Sequence, residues 1–314
     1  MTEDALVPGS QQAEPPQVSP DLPTPGWRAV LAILGQLPQA GLSRAFGRLA
    51  ATRIPVPMRR PILGSFARAV GIDLGEVEQP LSAYDSLDAF FVRGLRDGAR
   101  AWPDDDDTAG SPVDAIVGRL GPIDRGRLIQ AKGRHYTVER LLADADEAVR
   151  FEDGAFLTLY LSPRHYHRIH APLSGVLPLA RHVPGALLPV NAAAVAHIDE
   201  LFPRNERVLC YIDGALGRVA VVAIGAYNVG RITAAFDPAW GGGSGVSNRG
   251  RGEIETRPYD PGIPIMRGAE IMAFHLGSTV VLLFERKGAT LVSGLDPGDE
   301  VRLGQPIARL TPRL

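Results

Sequence analysis

Residues 276–284, Leu-Gly-Ser-Thr-Val-Val-Leu-Leu-Phe, place a small turn-forming triplet directly before an uninterrupted apolar run. The run is rich in β-branched residues and predicts a strand over Thr279–Phe284. Six further runs of this kind, each bounded by Gly, Pro or Asp, predict additional strands. They are Val113–Leu120, Ala155–Leu161, Gly175–Val183, Arg207–Ile212, Arg218–Ala226 and Val301–Leu310.

Helical periodicity lies mostly upstream of these strands. Apolar residues recur at helical spacing in 27–34, 42–49, about 61–71 and 86–97, and again at about 138–148. Ser86 and Thr137 are the expected N-caps of the last two helices. The pattern predicts an α+β fold, with an N-terminal helical layer and an antiparallel-rich β core. The closing stretch 297–310 resembles the turn-and-strand unit of lipoyl-type barrel-sandwich hybrids.

Composition limits what the protein does. The 314 residues carry a net charge of −2, so no overall basic field favours nucleic acid. The single cysteine, Cys210, excludes an internal disulfide and a multi-thiolate metal site. No apolar run is long enough to cross a bilayer, and the start lacks the layout of a secretory signal.

Charge and proline content divide the chain into three predicted regions. Residues 1–26 contain six prolines and four acids and are predicted to be a disordered leader. Residues 27–103 form the helical region, and residues 104–314 the β-rich catalytic domain. Within 27–70 there are seven arginines and no acid, which suits the surface of an anionic membrane. A helical subdomain with solvated arginines is the alternative.

Reactive side chains concentrate at Asp114, at the histidines 165, 167 and 170, and at Ser278. Taken singly, each has an ordinary structural explanation, such as a turn residue or a surface histidine. The histidines lack a nearby Cys or Glu to complete a ligand set, so no metal site is predicted. Together, Ser278, His170 and Asp114 supply a hydroxyl, a base and an orienting carboxylate, the composition of an activated nucleophile.

The order of several motifs resembles the phosphatidylserine decarboxylases, which are pyruvoyl-dependent enzymes, in their longer, membrane-associated form. The resemblance runs from about Asp85 to Leu310. Its motifs are DSLDAFFVRGLRDGARAWP (85–103), SPVD (111–114), LIQAKGRHYTVERLL (128–142), YLSPRHYHRIHAPLSG (160–175), LFPRNERVLCYID (201–213), AIGAYNVG (223–230) and GAEIMAFHLGSTVVLLF (268–284).

The resemblance implies a self-cleaving proenzyme that is cut between Gly277 and Ser278. His170, held by Asp114, would take the Ser278 proton, and Ser278 would become a covalent pyruvoyl group. A heterodimer of chains 1–277 and 278–314 would result. The pyruvoyl group would form a Schiff base with phosphatidylserine, and the product after loss of CO2 would be phosphatidylethanolamine. His167 is the expected acid, on a short helical turn that begins at Ser162 and brings His167 and His170 to one side.

The implied enzyme is a carboxy-lyase that works peripherally at the cytoplasmic face of a membrane, on phosphatidylserine and against an anionic lipid surface. An excess of arginine over lysine is typical of GC-rich bacterial genomes. Three alternatives stay open: a serine hydrolase that uses Ser278, His170 and Asp114 without self-cleavage, a pyruvoyl decarboxylase acting on another amine, and a membrane-tethered lipoyl-like binding module. His165 is expected to lie at the surface, and no role is assigned to it or to His135, His182, His197 and His275.

Overall fold

The computed structural model describes residues 47–214, 217–226, 231–241, 245, 252–275, 278–286 and 288–310. The predicted leader 1–26, the helix predicted over 27–34 and most of the helix predicted over 42–49 lie outside these residues. Residues 47–50 are helical. The predicted domain limits at residues 26 and 103 stay predictions.

The N-terminal layer is built on helix α1, Val56–Val70, which begins earlier than the sequence predicts. Proline at the start of a helix loses no hydrogen bond, since the first N–H groups have no partner inside the helix, and Pro57 stands there. The helix ends at Gly71, whose left-handed backbone (φ 83°) lets its N–H bond the carbonyl of Ala67. Its buried residues, Leu63 and Ala67, belong to a small core that also contains Tyr84 and Phe90.

Helix α2, Leu87–Phe91, follows a 3-10 turn at Leu81–Ala83 and is shorter than the helix predicted over 86–97. Ser86 caps it as expected, because its hydroxyl accepts a hydrogen bond from Ala89 N at 3.1 Å. Beyond Phe91 the chain leaves the helix, and Leu95 forms an isolated β-bridge with Val77.

The rest of the described chain is dominated by β structure. Its strands are β1 Thr108–Gly110, β2 Ala115–Pro122, β3 Arg127–Ala131, β4 Arg134–Thr137, β5 Ala155–Tyr160, β6 Arg168–His170, β7 Gly175–Val183, β8 Arg207–Gly214, β9 Gly217–Ile224, β10 Ile232–Ala234, β11 Glu255–Ile265, β12 Glu270–Phe274, β13 Thr279–Phe284, β14 Ala289–Leu291, β15 Glu300–Val301 and β16 Pro306–Leu310.

Eight of these strands form one antiparallel sheet in the order β11-β7-β8-β9-β13-β5-β2-β15. Smaller antiparallel sheets have the orders β1-β16-β14, β10-β12-β6 and β3-β4. The predicted α+β class and the antiparallel β core are confirmed, whereas the barrel-sandwich form of the closing stretch stays a prediction.

Strand β13 lies in the middle of the large sheet, between β5 and β9. All six of its residues are buried, which is why the run is apolar on both faces instead of alternating. The predicted limits of β13 and β7 match the structure. The strand predicted over Val301–Leu310 is two strands, because a turn at Arg302–Gln305, with Gly304 at φ 83°, separates β15 from β16.

The helix predicted at about 138–148 is in fact two helices. Helix α3 is Val138–Leu142 and α4 is Ala145–Phe151. Thr137 caps α3 as expected, but Ala143 adopts a left-handed conformation (φ 53°) and Asp144 begins a new helix by capping Glu147 N. Two more short helices, α5 Ala192–His197 and α6 Leu201–Arg204, precede β8. None of the helices in the described residues is both long and apolar enough to span a bilayer.

Candidate active site

Two chain segments that are distant in sequence run side by side at the start of β13. The N–H of Leu161, just after β5, donates to the carbonyl of Ser278 at 2.8 Å. Six residues further on, the carbonyl of His167 accepts from the N–H of Phe274, at the end of β12, at 2.9 Å. This antiparallel course brings residues 160–175, the histidine motif, alongside the segment that contains Ser278.

The histidine motif does not continue as a helix from Ser162 to His170, as the sequence suggests. Ser162 begins a single turn, closed by a hydrogen bond from His165 N to Ser162 O at 3.0 Å. From Arg168 the chain is extended as β6, paired with β12. The chain is therefore not helical from His167 to His170, and the expectation that helical spacing brings these two residues to one side is wrong.

Ser278 is fully buried immediately before β13. Within the part of the chain that the structure describes, its hydroxyl has no hydrogen-bond partner, although an unsatisfied buried polar atom is costly. The neighbouring Thr279 is in register with Tyr160 on β5 and Ile224 on β9, so the backbone after the serine is fixed from both sides. Gly277, on the other side of the predicted cleavage point, lies outside the described residues.

His167 is also fully buried, with its ring packed 4.1 Å, centroid to centroid, from the ring of Phe91. Its Nδ1 lies 2.8 Å from the carbonyl of His165, and a carbonyl only accepts, so Nδ1 carries the proton. Nε2 therefore presents a lone pair, and none of the described residues is its hydrogen-bond partner. Burial is the main reason that the pKa of His167 falls to about 3, so the imidazole is neutral at physiological pH.

His170 differs from His167 because both of its ring nitrogens are engaged. Nδ1 donates to the carbonyl of Gly268 at 2.7 Å, and Nε2 accepts from the hydroxyl of Tyr166 at 3.0 Å. Burial lowers the pKa of His170. In this geometry Nε2 carries no proton, and its lone pair already accepts the hydrogen bond from Tyr166.

Asp114 is hydrogen-bonded to Arg100 and Leu303 and not to His170, the predicted partner. Arg100 binds both carboxylate oxygens, Nε to Oδ1 at 2.9 Å and Nη2 to Oδ2 at 2.5 Å, and Leu303 N donates to Oδ1 at 2.7 Å. Burial raises the pKa of Asp114, but these bonds outweigh it and hold the pKa below its usual range. In the described chain no hydrogen bond joins Asp114 to His170, since Gly268 takes the position at Nδ1; Asp114 acts on His170 through its charge.

The sequence also missed residues that surround these groups. His165, expected at the surface, is buried; its Nδ1 accepts from Ser162 N at 3.0 Å, and burial lowers its pKa to about 4. His275 pairs with Asp88 of α2 at 2.8 Å, close to the predicted cleavage point. Tyr166 and Arg100 lie inside motifs quoted above, so their position in those motifs was the available signal. Within the described residues, no three His, Cys, Asp or Glu side chains form a group able to hold a metal.

A buried serine hydroxyl and a buried proton-accepting imidazole at one end of a β-sheet have the composition of an enzyme that acts through an activated nucleophile. The family model of phosphatidylserine decarboxylase matches residues 87–309. The chain therefore belongs to the phosphatidylserine decarboxylase family.

Three relatives that it resembles over most of their length are bacterial. A phosphatidylserine decarboxylase proenzyme of Anaeromyxobacter sp. (strain K) is 43% identical over 280 residues, covering 89% of this chain and 98% of the relative. The protein of the same name from Myxococcus xanthus is 39% identical over 282 residues, covering 90% and 98%. That from Azotobacter vinelandii is 41% identical over 288 residues, covering 89% and 98%.

Proposed function

We propose that this chain is a proenzyme that cleaves itself at Gly277–Ser278 and then decarboxylates phosphatidylserine to phosphatidylethanolamine. The observation that carries the proposal is the Ser278 hydroxyl, which lies directly before the central strand and is buried with no hydrogen-bond partner among the described residues. A hydroxyl kept in this way costs stability, and a nucleophile that attacks its own backbone explains why it is tolerated.

The cleavage chemistry balances without any external reagent except water. Ser278 Oγ loses its proton to a base and attacks the Gly277 carbonyl, and the peptide C–N bond breaks in favour of an ester. Removal of the Ser278 α-proton then expels Gly277 as a carboxylate and leaves dehydroalanine. Tautomerisation and hydrolysis release ammonia and leave a ketone at the former Cα. The nucleophile lies next to the bond that it attacks, which gives it a high effective concentration.

His170 is the proposed base, with Asp114 favouring the imidazolium that forms. The lowered pKa of His170 supports this role, because it keeps Nε2 free of a proton. For the transfer to occur, Nε2 must exchange the Tyr166 hydroxyl for that of Ser278. The Asp114 carboxylate stays charged beside Arg100 and stabilises positive charge on His170 from its present position.

The strand geometry suits a pyruvoyl group at position 278. Cleavage and loss of ammonia change the nitrogen, Cα and Cβ of the serine but leave its carbonyl, and it is this carbonyl that Leu161 N–H holds. The register of Thr279 with β5 and β9 is likewise untouched. The pyruvoyl group would supply the electron-withdrawing carbonyl that decarboxylation of an α-amino acid head group requires.

His167 is the proposed proton carrier for decarboxylation. A neutral imidazole with a pKa of about 3 first accepts a proton at Nε2 and only then donates one. We assign it the removal of a proton from the substrate ammonium group and its return to the carbon that has lost CO2. The surrounding apolar packing, with Phe91 against the ring, excludes water that would compete for this proton.

Access to a diacyl lipid requires a surface that meets the bilayer. Helix α1 exposes Val56 at its start and Met58 and Ile62 on the face away from Leu63 and Ala67, with exposed fractions of 61%, 49% and 43%. Arg60 and Arg68 are exposed on the same helix, which contains no acid. Apolar side chains between arginines favour an anionic interface, and we place the peripheral contact with the cytoplasmic face here.

The proposal is tested by incubating purified full-length protein with phosphatidylserine vesicles and measuring CO2 and phosphatidylethanolamine. Wild type should form both in equal amounts and lose activity with hydroxylamine, which traps ketones, while Ser278→Ala should form neither. Labelling of Ser278 by an electrophilic serine probe, with fatty acid released instead of CO2, would replace the proposal by a serine hydrolase. If CO2 forms only with a soluble amino acid, that amino acid and not phosphatidylserine is the substrate.

A further inference from the structure

A buried arginine lies directly behind the histidine motif. Arg93, just after α2, is only 4% exposed. Its Nη2 donates to the carbonyls of Arg164 at 3.0 Å and His165 at 3.1 Å, and its Nη1 lies 3.5 Å from the carbonyl of Phe91. The guanidinium carbon also lies 5.6 Å from the centre of the Phe90 ring.

This arrangement is unusual for a buried cation. Buried arginines usually pair with a carboxylate, since removing a charge from water costs several kcal/mol. In the described chain Arg93 forms no salt bridge, and its Nε has no hydrogen-bond partner. The guanidinium nevertheless remains charged, because arginine does not lose its proton in proteins. Its hydrogen bonds therefore go to backbone carbonyls, two of them in the histidine motif, and Asp114 attracts its charge without a direct bond.

One of those carbonyls links Arg93 to His167. The oxygen of His165 accepts from Arg93 Nη2 and also from His167 Nδ1, at 2.8 Å. Holding this oxygen in place fixes which nitrogen of His167 carries the proton, and thus leaves the lone pair on Nε2. The same short segment supplies Phe91, which packs against the His167 ring. Arg93 and Phe91 together determine the orientation of the imidazole.

We propose that Arg93 is a positioning residue that acts through the His165 carbonyl to hold His167 neutral and protonated at Nδ1, with Nε2 ready to accept the substrate proton. This inference rests on the proposed function, because it uses His167 as the proton carrier. The charged or titratable groups that act on His167 are Arg93 and His165, and the positive charge of Arg93 adds to burial in lowering the His167 pKa.

The matched control is Arg207, an arginine with the same kind of surroundings elsewhere. It is 2% exposed and donates only to carbonyls, those of Leu141, Pro203, Asn205 and Arg140. None of these hydrogen bonds of the described chain reaches the histidine motif. If Arg93 were only a structural arginine, the same substitution at either position would have the same effect on His167, namely none.

The experiment records two-bond ¹H–¹⁵N spectra of histidine-labelled full-length Ser278→Ala protein between pH 5 and 8. The parent and the Arg207→Lys variant should show His167 with a protonated Nδ1 and an unprotonated Nε2 throughout. Arg93→Met should shift population to the other tautomer and introduce a titration inside this range. Arg93→Lys should keep His167 neutral but loosen the tautomer preference.

In the cleavable chain, Arg93→Lys should still self-cleave and should lower kcat for decarboxylation by about 10- to 100-fold, the range for partners that orient a functional histidine. KM should change less than about twofold, since the substrate-binding surface is unaltered. An unchanged His167 tautomer in Arg93→Met overturns the inference. If Arg93→Met does not fold, Arg93→Lys decides: unchanged spectra and kcat overturn it.

These spectra use an uncleaved chain and no substrate, so they are independent of the proposed function. A wild-type protein that forms no CO2 contradicts the function without altering the tautomer result. An active wild type with an Arg93-independent His167 contradicts only the role of Arg93.

Discussion

Strand β13 and helix α1 are both rich in apolar residues, yet the fold uses them in opposite ways. All six residues of β13 are buried between two neighbouring strands. Helix α1 buries only Leu63 and Ala67 and exposes Val56, Met58 and Ile62 to solvent. The strand follows directly on the buried Ser278, whereas the helix leaves apolar surface exposed.

Under the proposed function, these two regions serve two separate tasks. Covalent chemistry at Ser278 needs a backbone that does not move, and hydrogen bonds on both sides of β13 supply it. Lipid contact needs exposed apolar area that a well-packed core would consume. Each region therefore predicts a different response to mutation.

The largest effects are expected where the buried end of β13 meets the histidine motif. His170→Ala and Asp114→Asn should abolish self-cleavage, because each removes part of the base that activates Ser278. His167→Ala should still cleave but decarboxylate poorly, since its role comes later. Gel analysis of the purified chains together with CO2 release separates the two outcomes. An uncut His167→Ala chain would require the roles of the two histidines to be exchanged.

Two alanine substitutions in the Ser278→Ala protein test the difference in packing between β13 and α1. Leu282→Ala removes a fully buried side chain from β13 and should lower the free energy of unfolding by about 2–5 kcal/mol. Ile62→Ala on α1 should change it by less than about 0.5 kcal/mol, because that side chain is exposed. Urea denaturation measures both. Equal losses would mean that α1 is buried in solution.

As the pH falls, protonation of histidines in the histidine motif should lower the free energy of unfolding before the carboxylates titrate. His165 and His167 have folded-state pKa values of about 4 and about 3, below the ordinary value of 6.5. Their contribution to stability is therefore present above pH 6.5 and is lost as the pH falls toward these values. For His167 the free energy of unfolding should drop by about 2 kcal/mol between pH 6.5 and 5.

Urea unfolding of Ser278→Ala protein at several pH values measures this slope. The carboxylates with lowered pKa, such as Asp114, act only at lower pH, since their ordinary value is 3.8. His167→Asn should flatten the slope between pH 6.5 and 5, while His135→Gln, at an exposed position on β4, should leave it as in the parent. A pH-independent parent would contradict the buried, neutral state of His167.

The smallest effects on the fold are expected on α1, where lipid binding is the sensitive measurement. The double variant Met58→Ser/Ile62→Ser should bind anionic vesicles about 30-fold more weakly, at about 1 kcal/mol of apolar transfer per side chain. Val149→Ser is the control, because Val149 is 63% exposed on α4, away from the arginine-rich helix. Vesicle flotation of the full chain gives the comparison, and undiminished binding would remove α1 from the membrane contact.

Local patterns predicted the parts of the fold that depend on local physics. The limits of β7 and β13 and the caps at Ser86 and Thr137 follow from burial periodicity and from hydroxyl groups at helix starts. Strand β11 was missed because Pro258, Pro261 and Pro264 remove the usual strand signal.

The site residues that the sequence missed depend on partners far along the chain. Helix α2 stops early where Arg93 turns to carbonyls more than 70 residues away, and no local pattern specifies such a partner. Asp114 was expected to bind His170, but Arg100, which also reaches Glu76, binds it instead. His165 is polar, which predicts a surface position, and no local pattern of the sequence indicates that it is buried. The catalytic roles of Asp114, His167, His170 and Ser278 stay predictions.

The most direct measurement is the intact mass of freshly purified full-length protein, with Ser278→Ala beside it. Wild type should separate into chains 1–277 and 278–314, the latter of roughly 4 kDa at ~110 Da per residue and lighter by one ammonia than a serine-terminated chain. Ser278→Ala should remain at 33.6 kDa. An active wild-type protein that keeps the mass of the uncut chain would contradict the account.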